Sequence, residues 1–262
     1  MRILVTTIGS LLLAACTPAA TAPAIDGTYK LDVASAKLSG KPDTILLKDG
    51  QYECSTCTPP YKIAADGKPQ PVAGRDYWDS VSVKVVNPTA LETTRYRKGV
   101  AVGTTKIELS ADGQMLTWTT TSSDNAEGKA ITNSSKSKRT APAPAGAHAV
   151  SGSWVAVNDG AQIADESLLA TISMKDGTVS QKFPTGESYE AKLGGPQVPV
   201  VGDKAGATVA VVAEGAGFKE TGFVNGKAVM ENTVVPVDAT TLTLTSHDLK
   251  SGDTSTYTLK KQ

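Results

Sequence analysis

A chain of 262 residues, balanced at 26 basic against 26 acidic side chains, has no basic field to displace counterions from a nucleic acid, which disfavours that class of partner. Its 40% apolar content suits one large core or two smaller ones, and its 5% aromatic content makes those cores poor in rings. Two His and three Cys leave little for a His-rich metal site or a His-dependent triad, and no cofactor is expected.

Residues 1–15 read as an export signal: Arg2, an apolar run from Ile3 to Leu13, then small residues. The run is too short for a spanning helix, which needs about 20 residues. Leu13-Ala14-Ala15-Cys16 looks like a bacterial lipobox, in which Cys16 becomes the diacylglyceryl-modified first residue of the mature chain. The alternative is an ordinary cleavage site among the neighbouring alanines. Each buried methylene of a lipid chain contributes about 0.8 kcal/mol, so a multiply acylated Cys16 would hold the protein stably on a membrane. Residues 16–25, rich in Pro, Ala and Thr, read as an extended tether. The resemblance to other bacterial lipoproteins implies one further point: Thr17 rather than Asp after the lipid Cys fits outer-membrane sorting in enteric-type bacteria. The expected location is therefore the cell envelope, lipid-anchored at the outer membrane and facing the periplasm.

Beyond the tether the chain repeats itself. Gly27-Thr28-Tyr29 matches Gly152-Ser153-Trp154, Lys48-Asp49-Gly50 matches Lys175-Asp176-Gly177, and Pro71-Val72-Ala73-Gly74 matches Pro199-Val200-Val201-Gly202. Ser80 to Val83 matches Thr208 to Val211, and Leu116 to Thr119 matches Leu242 to Thr245, at offsets that stay between 125 and 128. One unit has been duplicated with few insertions. A Pro/Ala stretch, Ala141 to Gly146, separates the copies, so the predicted domains are residues 26–143 and 150–262, joined by a linker at 144–149.

Within each copy the dominant period is two. Val81, Val83 and Val85 alternate with Ser80, Ser82 and Lys84, and Met115 to Thr120 and Thr241 to Thr245 alternate likewise. Asp49-Gly50, Asp112-Gly113, Asn225-Gly226 and the Lys98-Gly99 pair mark hairpin turns. Helical periodicity is confined to Ile163 to Ala170, about two turns. Roughly eight short strands per copy predict an all-β fold of two tandem antiparallel meander barrels, with two sandwich domains as the alternative.

Four local features carry candidate chemistry. Cys54 and Cys57, three residues apart across a turn in an exported protein, suit a disulfide that contributes about 2 kcal/mol; the other reading is a redox dithiol. Asp76, Tyr77, Trp78 and Asp79 could form a sugar, cation or partner turn at a barrel rim, or a capped turn with its rings on the core. Ser134 to Arg139 reads as an edge strand guarded by Lys, with binding to anionic lipid headgroups as the alternative. His148 and His247 have no metal-like spacing and read as exposed bystanders, and no phosphate loop, nucleophile elbow or metalloprotease motif occurs, so a non-enzymatic protein is expected.

The residues Gly27 to Asp32, Cys54 to Pro60, Asp66-Gly67-Lys68, Pro71 to Gly74, Tyr77 to Val81 and Leu91-Glu92-Thr93 resemble a group of lipocalin-like lipoproteins of Gram-negative bacteria. Gly152-Ser153-Trp154, Pro184 to Tyr189 and Tyr257 to Gln262 continue the resemblance in the second copy. Gln70 departs from the usual Tyr or His, and Gly206-Ala207 stands in place of Trp78-Asp79, so a site on that turn would exist in the first copy alone. The resemblance implies lipocalin-like barrels. The expected function is a non-catalytic envelope lipoprotein with binding or scaffold modules for a small apolar ligand or an envelope protein. A thiol-redox factor and a cell-wall or surface interaction protein are the alternatives.

Overall fold

The computed structural model describes residues 25–262; the expected signal peptide, Cys16 and the tether up to residue 24 lie outside the described residues. The first repeat forms β1 (Gly27–Lys37), β2 (Asp43–Lys48), β3 (Gln51–Cys54), β4 (Tyr61–Ala64), β5 (Gln70–Pro71), β6 (Ser80–Asn87), β7 (Ala90–Arg97), β8 (Val100–Leu109), β9 (Met115–Ser122) and β10 (Ile131–Ala141). The second forms β11 (Gly152–Gln162), a one-turn helix α1 (Asp165–Leu168), β12 (Leu169–Lys175), β13 (Thr178–Lys182), β14 (Ser188–Lys192), β15 (Val198–Pro199), β16 (Thr208–Glu214), β17 (Gly217–Val224), β18 (Lys227–Pro236), β19 (Thr241–Asp248) and β20 (Thr254–Lys261).

These strands build two antiparallel, nearly closed barrels of ten strands each, rather than about eight. The difference lies in short strands: β5 and β15 are two residues long, and β3 and β4 four, too short to show a period-two pattern. The helical stretch contracts to the four residues of α1, because Leu169 and Ala170 join β12. Hairpin turns form where expected. Asp49-Gly50, Lys98-Gly99, Asp176-Gly177 and Asn225-Gly226 all have both residues at positive φ, the geometry of the type I′ turn.

The barrels do not coincide with the two repeats. In barrel 1 the order runs β4-β3-β2-β11-β10-β9-β8-β7-β6-β5, and in barrel 2 it runs β14-β13-β12-β1-β20-β19-β18-β17-β16-β15. Each repeat has given its first strand to the other. β11 pairs Gly152 with Ile45 of β2 and Lys138 of β10 with Val155, while β1 pairs Gly27 with Ile172 of β12 and Leu31 with Leu259 of β20. The stretch 144–149, expected as the linker between domains, is instead a loop within barrel 1, held by the His148 N–H on the Leu47 carbonyl and the Leu47 N–H on Ser151 Oγ. The chain crosses between barrels at 38–42 and 163–168.

The exchanged strands carry equivalent plugs. Trp154 is wholly buried in barrel 1 with the Arg139 guanidinium 4.0 Å from its ring centroid, and Tyr29 is buried in barrel 2 with Lys261 Nζ at 6.0 Å. Arg139 belongs to the basic run 134–139, which is therefore an interior strand bonded on both sides by β9 and β11, not an edge. Its guanidinium donates to the carbonyls of Gly113, Ala149 and Ser151. Ile25, expected in the tether, is buried in the barrel 2 core, so the chain leaves toward its N-terminus from barrel 2.

The barrels meet through the turns before β6 and β16 and the β9–β10 loop. The turn before β6 reaches barrel 2, where Lys250 pairs with Asp76 at 2.6 Å and donates to the Gly74 carbonyl. The turn before β16 reaches barrel 1, where Lys204 donates to the Ser123 carbonyl. Ala126 of the β9–β10 loop lies against Gly186 and Gly202, at whose positive-φ positions a Cβ would stand 2.9 and 2.6 Å from the Ala126 methyl. Only glycine admits that approach. The Ala126 N–H donates to Glu187 Oε1 at 2.8 Å.

Candidate functional site

Each barrel is packed at one end and hollow at the other. On β7 Leu91 is fully buried, and two and four residues on, Thr93 and Arg95 line a cavity of about 380 Å³. On β17 Phe218 is fully buried, and Glu220 and Gly222 line a cavity of about 580 Å³. The strand period of two puts each trio on one inward face. The register makes them equivalent: Val81, Val83 and Thr105 pair with Arg95, Thr93 and Thr93, as Val209, Val211 and Asn232 pair with Gly222, Glu220 and Glu220. Thr120 lines both cavities, so the two hollows approach each other at the junction between barrels.

The size difference follows from the residues. Barrel 1 places Tyr52, Trp78, Trp118 and Arg95 in its cavity, where the second repeat has Val179, Gly206, Leu244 and Gly222. Large side chains fill barrel 1, and small ones leave barrel 2 open. Both volumes fall in the range of small-molecule sites, about 300–1,000 Å³.

The larger cavity has an apolar side that includes Phe183, Val200, Phe223 and Met230, a polar rim to which barrel 1 contributes Ser122, Asp124 and Asn133, and a polar cluster inside barrel 2. Glu220 accepts hydrogen bonds from Asn232 Nδ2 at 2.7 Å, from Gln181 Nε2 at 3.1 Å and from the Tyr189 hydroxyl. Burial pushes the Glu220 carboxyl above its usual range, against the pull of Asn232 and Tyr189, and burial together with Glu220 pushes the Tyr189 phenol far up. A carboxyl whose folded value is raised favours folding most below its unfolded value, near 4.3, and this advantage is lost as pH rises through the folded value. The melting temperature of the wild type relative to Glu220→Gln should therefore decline as pH is raised from 4 to 8. A difference that stays flat over that range in paired thermal melts would contradict this assignment.

The residues singled out in the sequence divide among several tasks. Trp78 packs against the barrel 1 core and lines its cavity, edge-on to Tyr61 with centroids 6.2 Å apart. Tyr77 is 42% exposed and lines the barrel 2 cavity from across the junction. Asp76 holds Lys250, and Asp79 is a cap, accepting from the Lys98 N–H at 2.6 Å and the Ser80 hydroxyl at 2.9 Å; these bonds hold its carboxyl below the usual range. Asp76, Tyr77 and Trp78 also share a hollow of about 240 Å³ at the junction with Arg75 and Lys250, while Asp79 caps the turn and the two rings reach on into the cavities of the two barrels.

Cys54 and Cys57 form a disulfide with Cα atoms 5.3 Å apart. Cys54 is buried in the core cluster at the end of β3, with strand rather than helix on either side, unlike the helix N-termini that activate redox thiols. Cys16 lies outside the described residues. His148 Nε2 is 2.8 Å from the Asn87 carbonyl and His247 Nδ1 is 2.9 Å from Thr254 Oγ1. Among the described residues no group of three or more His, Cys, Asp or Glu is arranged to hold a metal ion, and no helix is long and apolar enough to cross a membrane.

Arg95 and Glu220 were not apparent as site residues, although a signal for both exists. Counting by twos from the apolar Leu91 and Phe218 brings each onto the buried face. The chain matches no family model, no curated protein and no solved structure.

Proposed function

We propose that this protein is a non-catalytic, lipid-anchored envelope protein of the lipocalin-like kind whose barrels bind small molecules. The observation that carries the reading is a 580 Å³ hollow that runs from the interior of barrel 2, where Gly222 leaves room, to the junction with barrel 1; Phe183, Val200, Phe223 and Met230 line it on the apolar side, and Glu220, Asn232 and, from barrel 1, Asp124 and Asn133 on the polar side. Such a site suits a small, largely apolar ligand with a polar group that exchanges hydrogen bonds with Glu220 and Asn232. Cys16 supplies the membrane attachment at the outer membrane, and the tether reaches it from Ile25 of barrel 2. The protein would thus hold its ligand cavity close to a lipid surface, on the periplasmic side.

Two measurements test the two halves of the reading. Cys16→Ala should move the protein from the detergent-extracted membrane fraction to the soluble periplasmic fraction, and its retention in the membrane fraction would remove the anchor. The lipid-free chain, residues 17–262, should enhance the fluorescence of N-phenyl-1-naphthylamine saturably at one site. Unsaturable or absent enhancement would remove the apolar-ligand assignment.

A further inference from the structure

The cavity of barrel 1 holds a cation without a partner. Arg95 is drawn inward on β7, and among the described residues no carboxylate lies within salt-bridge distance of its guanidinium and no hydrogen bond reaches it. Asp124, the carboxylate whose field it feels, is committed to Arg97, whose Nη1 and Nη2 both bond to it. The other arginine nearby, Arg75, is also engaged: it donates to the Thr58 carbonyl at 2.7 Å and to the Pro59 carbonyl, with the Tyr61 and Trp78 rings at 5.2 and 4.9 Å.

Holding a half-buried guanidinium without a counter-charge is unfavourable, and the fold does not require it. The duplicated barrel closes with Gly222 at the same register position. The opposite strand also makes room: Gly103 pairs with Arg95, and a Cβ there would come within 3.1 Å of Arg95 Nη2. Trp78, Trp118 and Tyr61 line the same cavity as the guanidinium, as do Thr105 and Thr120, whose hydroxyls are 2.9 Å apart and bonded to each other. Asp43 is the carboxyl in the lining, and burial raises its proton affinity.

We propose that the barrel 1 cavity is a second binding site, for a small planar aromatic carboxylate whose anionic group pairs with Arg95 and whose ring lies between Trp78 and Trp118. A carboxylate can accept two parallel N–H bonds from the guanidinium fork, and the rings supply flat apolar walls. The two copies of one barrel then differ in ligand class. Barrel 1 presents Arg95 where barrel 2 has glycine, and barrel 2 presents Glu220 where barrel 1 has Thr93.

The inference concerns a different cavity from the apolar site of barrel 2 and is tested separately. The probe is 2-naphthoate, compared with uncharged 2-naphthamide, titrated into residues 17–262 and followed by quenching of tryptophan emission. Wild-type protein should bind the naphthoate at least tenfold more tightly than the amide, a difference of about 1.4 kcal/mol. Arg95→Gln should abolish that preference, Arg95→Lys should keep part of it, and Glu220→Gln should leave it intact. Equal affinity for the two probes, no binding of either, a preference that survives Arg95→Gln, or one lost in Glu220→Gln would each overturn the proposal. The wild-type comparison stands even where a variant folds poorly. Binding of N-phenyl-1-naphthylamine reports barrel 2 independently.

Discussion

Removing residues 17–38 should unfold the C-terminal barrel and leave the N-terminal barrel native, the reverse of what a truncation at the N-terminal repeat suggests. β1 is the strand between β12 and β20, so its loss exposes two strand edges and removes the buried Tyr29 and Ile25 from the barrel 2 core. Truncating a buried ring of this size costs about 3–5 kcal/mol, so Tyr29→Ala alone should lower the barrel 2 transition substantially. The readout is built into the molecule. All three tryptophans, Trp78, Trp118 and Trp154, sit in barrel 1, so tryptophan emission follows that barrel while far-ultraviolet circular dichroism follows both. The truncated chain should keep a native, cooperative tryptophan transition, lose a large part of its strand signal, and become protease-sensitive after residue 168. A peptide spanning residues 25–38 added in trans should restore the second barrel. Conversely, residues 26–143 expressed alone lack β11 and the Trp154 plug, and should not give a stable barrel. A folded, monomeric 26–143 would overturn the strand exchange.

That exchange was not legible in the sequence, for a physical reason. Gly27-Thr28-Tyr29 and Gly152-Ser153-Trp154 open strands of the same pattern, each offering one ring to a core and one edge to each neighbour. As sequence patterns the two strands look alike, so alternation and the repeat offset predict two barrels without saying which strand closes which. Hairpin positions were legible because positive φ at adjacent residues selects Asp-Gly and Asn-Gly, as at Asp49-Gly50 and Asn225-Gly226. The basic run at 134–139 misled because Lys on a strand usually marks an edge. Here Lys136 and Lys138 share an interior strand with Arg139, which reaches the Trp154 ring. Of the site, the Tyr77-Trp78 pair was legible as part of a turn at a barrel rim, and no motif or spacing singled out Arg95 or Glu220. Their inward placement is fixed by phase from Leu91 and Phe218, an alternation in which the polar residues themselves continue the buried face.

Gly222→Trp should close the barrel 2 cavity without disturbing the barrel, weakening N-phenyl-1-naphthylamine binding by at least a hundredfold. The position tolerates a side chain. Gly222 has no positive φ, and the nearest atom to a Cβ built there, the Met230 carbonyl oxygen, is 3.9 Å away. A ring at 222 enters the space that Arg95 occupies in the other barrel, beside Glu220 and the Asn232 amide. The hundredfold loss corresponds to about 2.7 kcal/mol of binding, well within what excluding a ligand's apolar surface from a pocket costs. Filling a hollow with an apolar ring should leave the melting temperature unchanged or raise it, which separates blocked binding from misfolding. Binding that persists at wild-type affinity in a folded Gly222→Trp variant would show that the apolar probe sits elsewhere and that the glycine opens the barrel for another reason. The same variant should leave 2-naphthoate binding in barrel 1 untouched, because Arg95 and the Trp78 and Trp118 walls belong to the other cavity. Loss of both probes together would mean that the cavities meeting at Thr120 act as a single site.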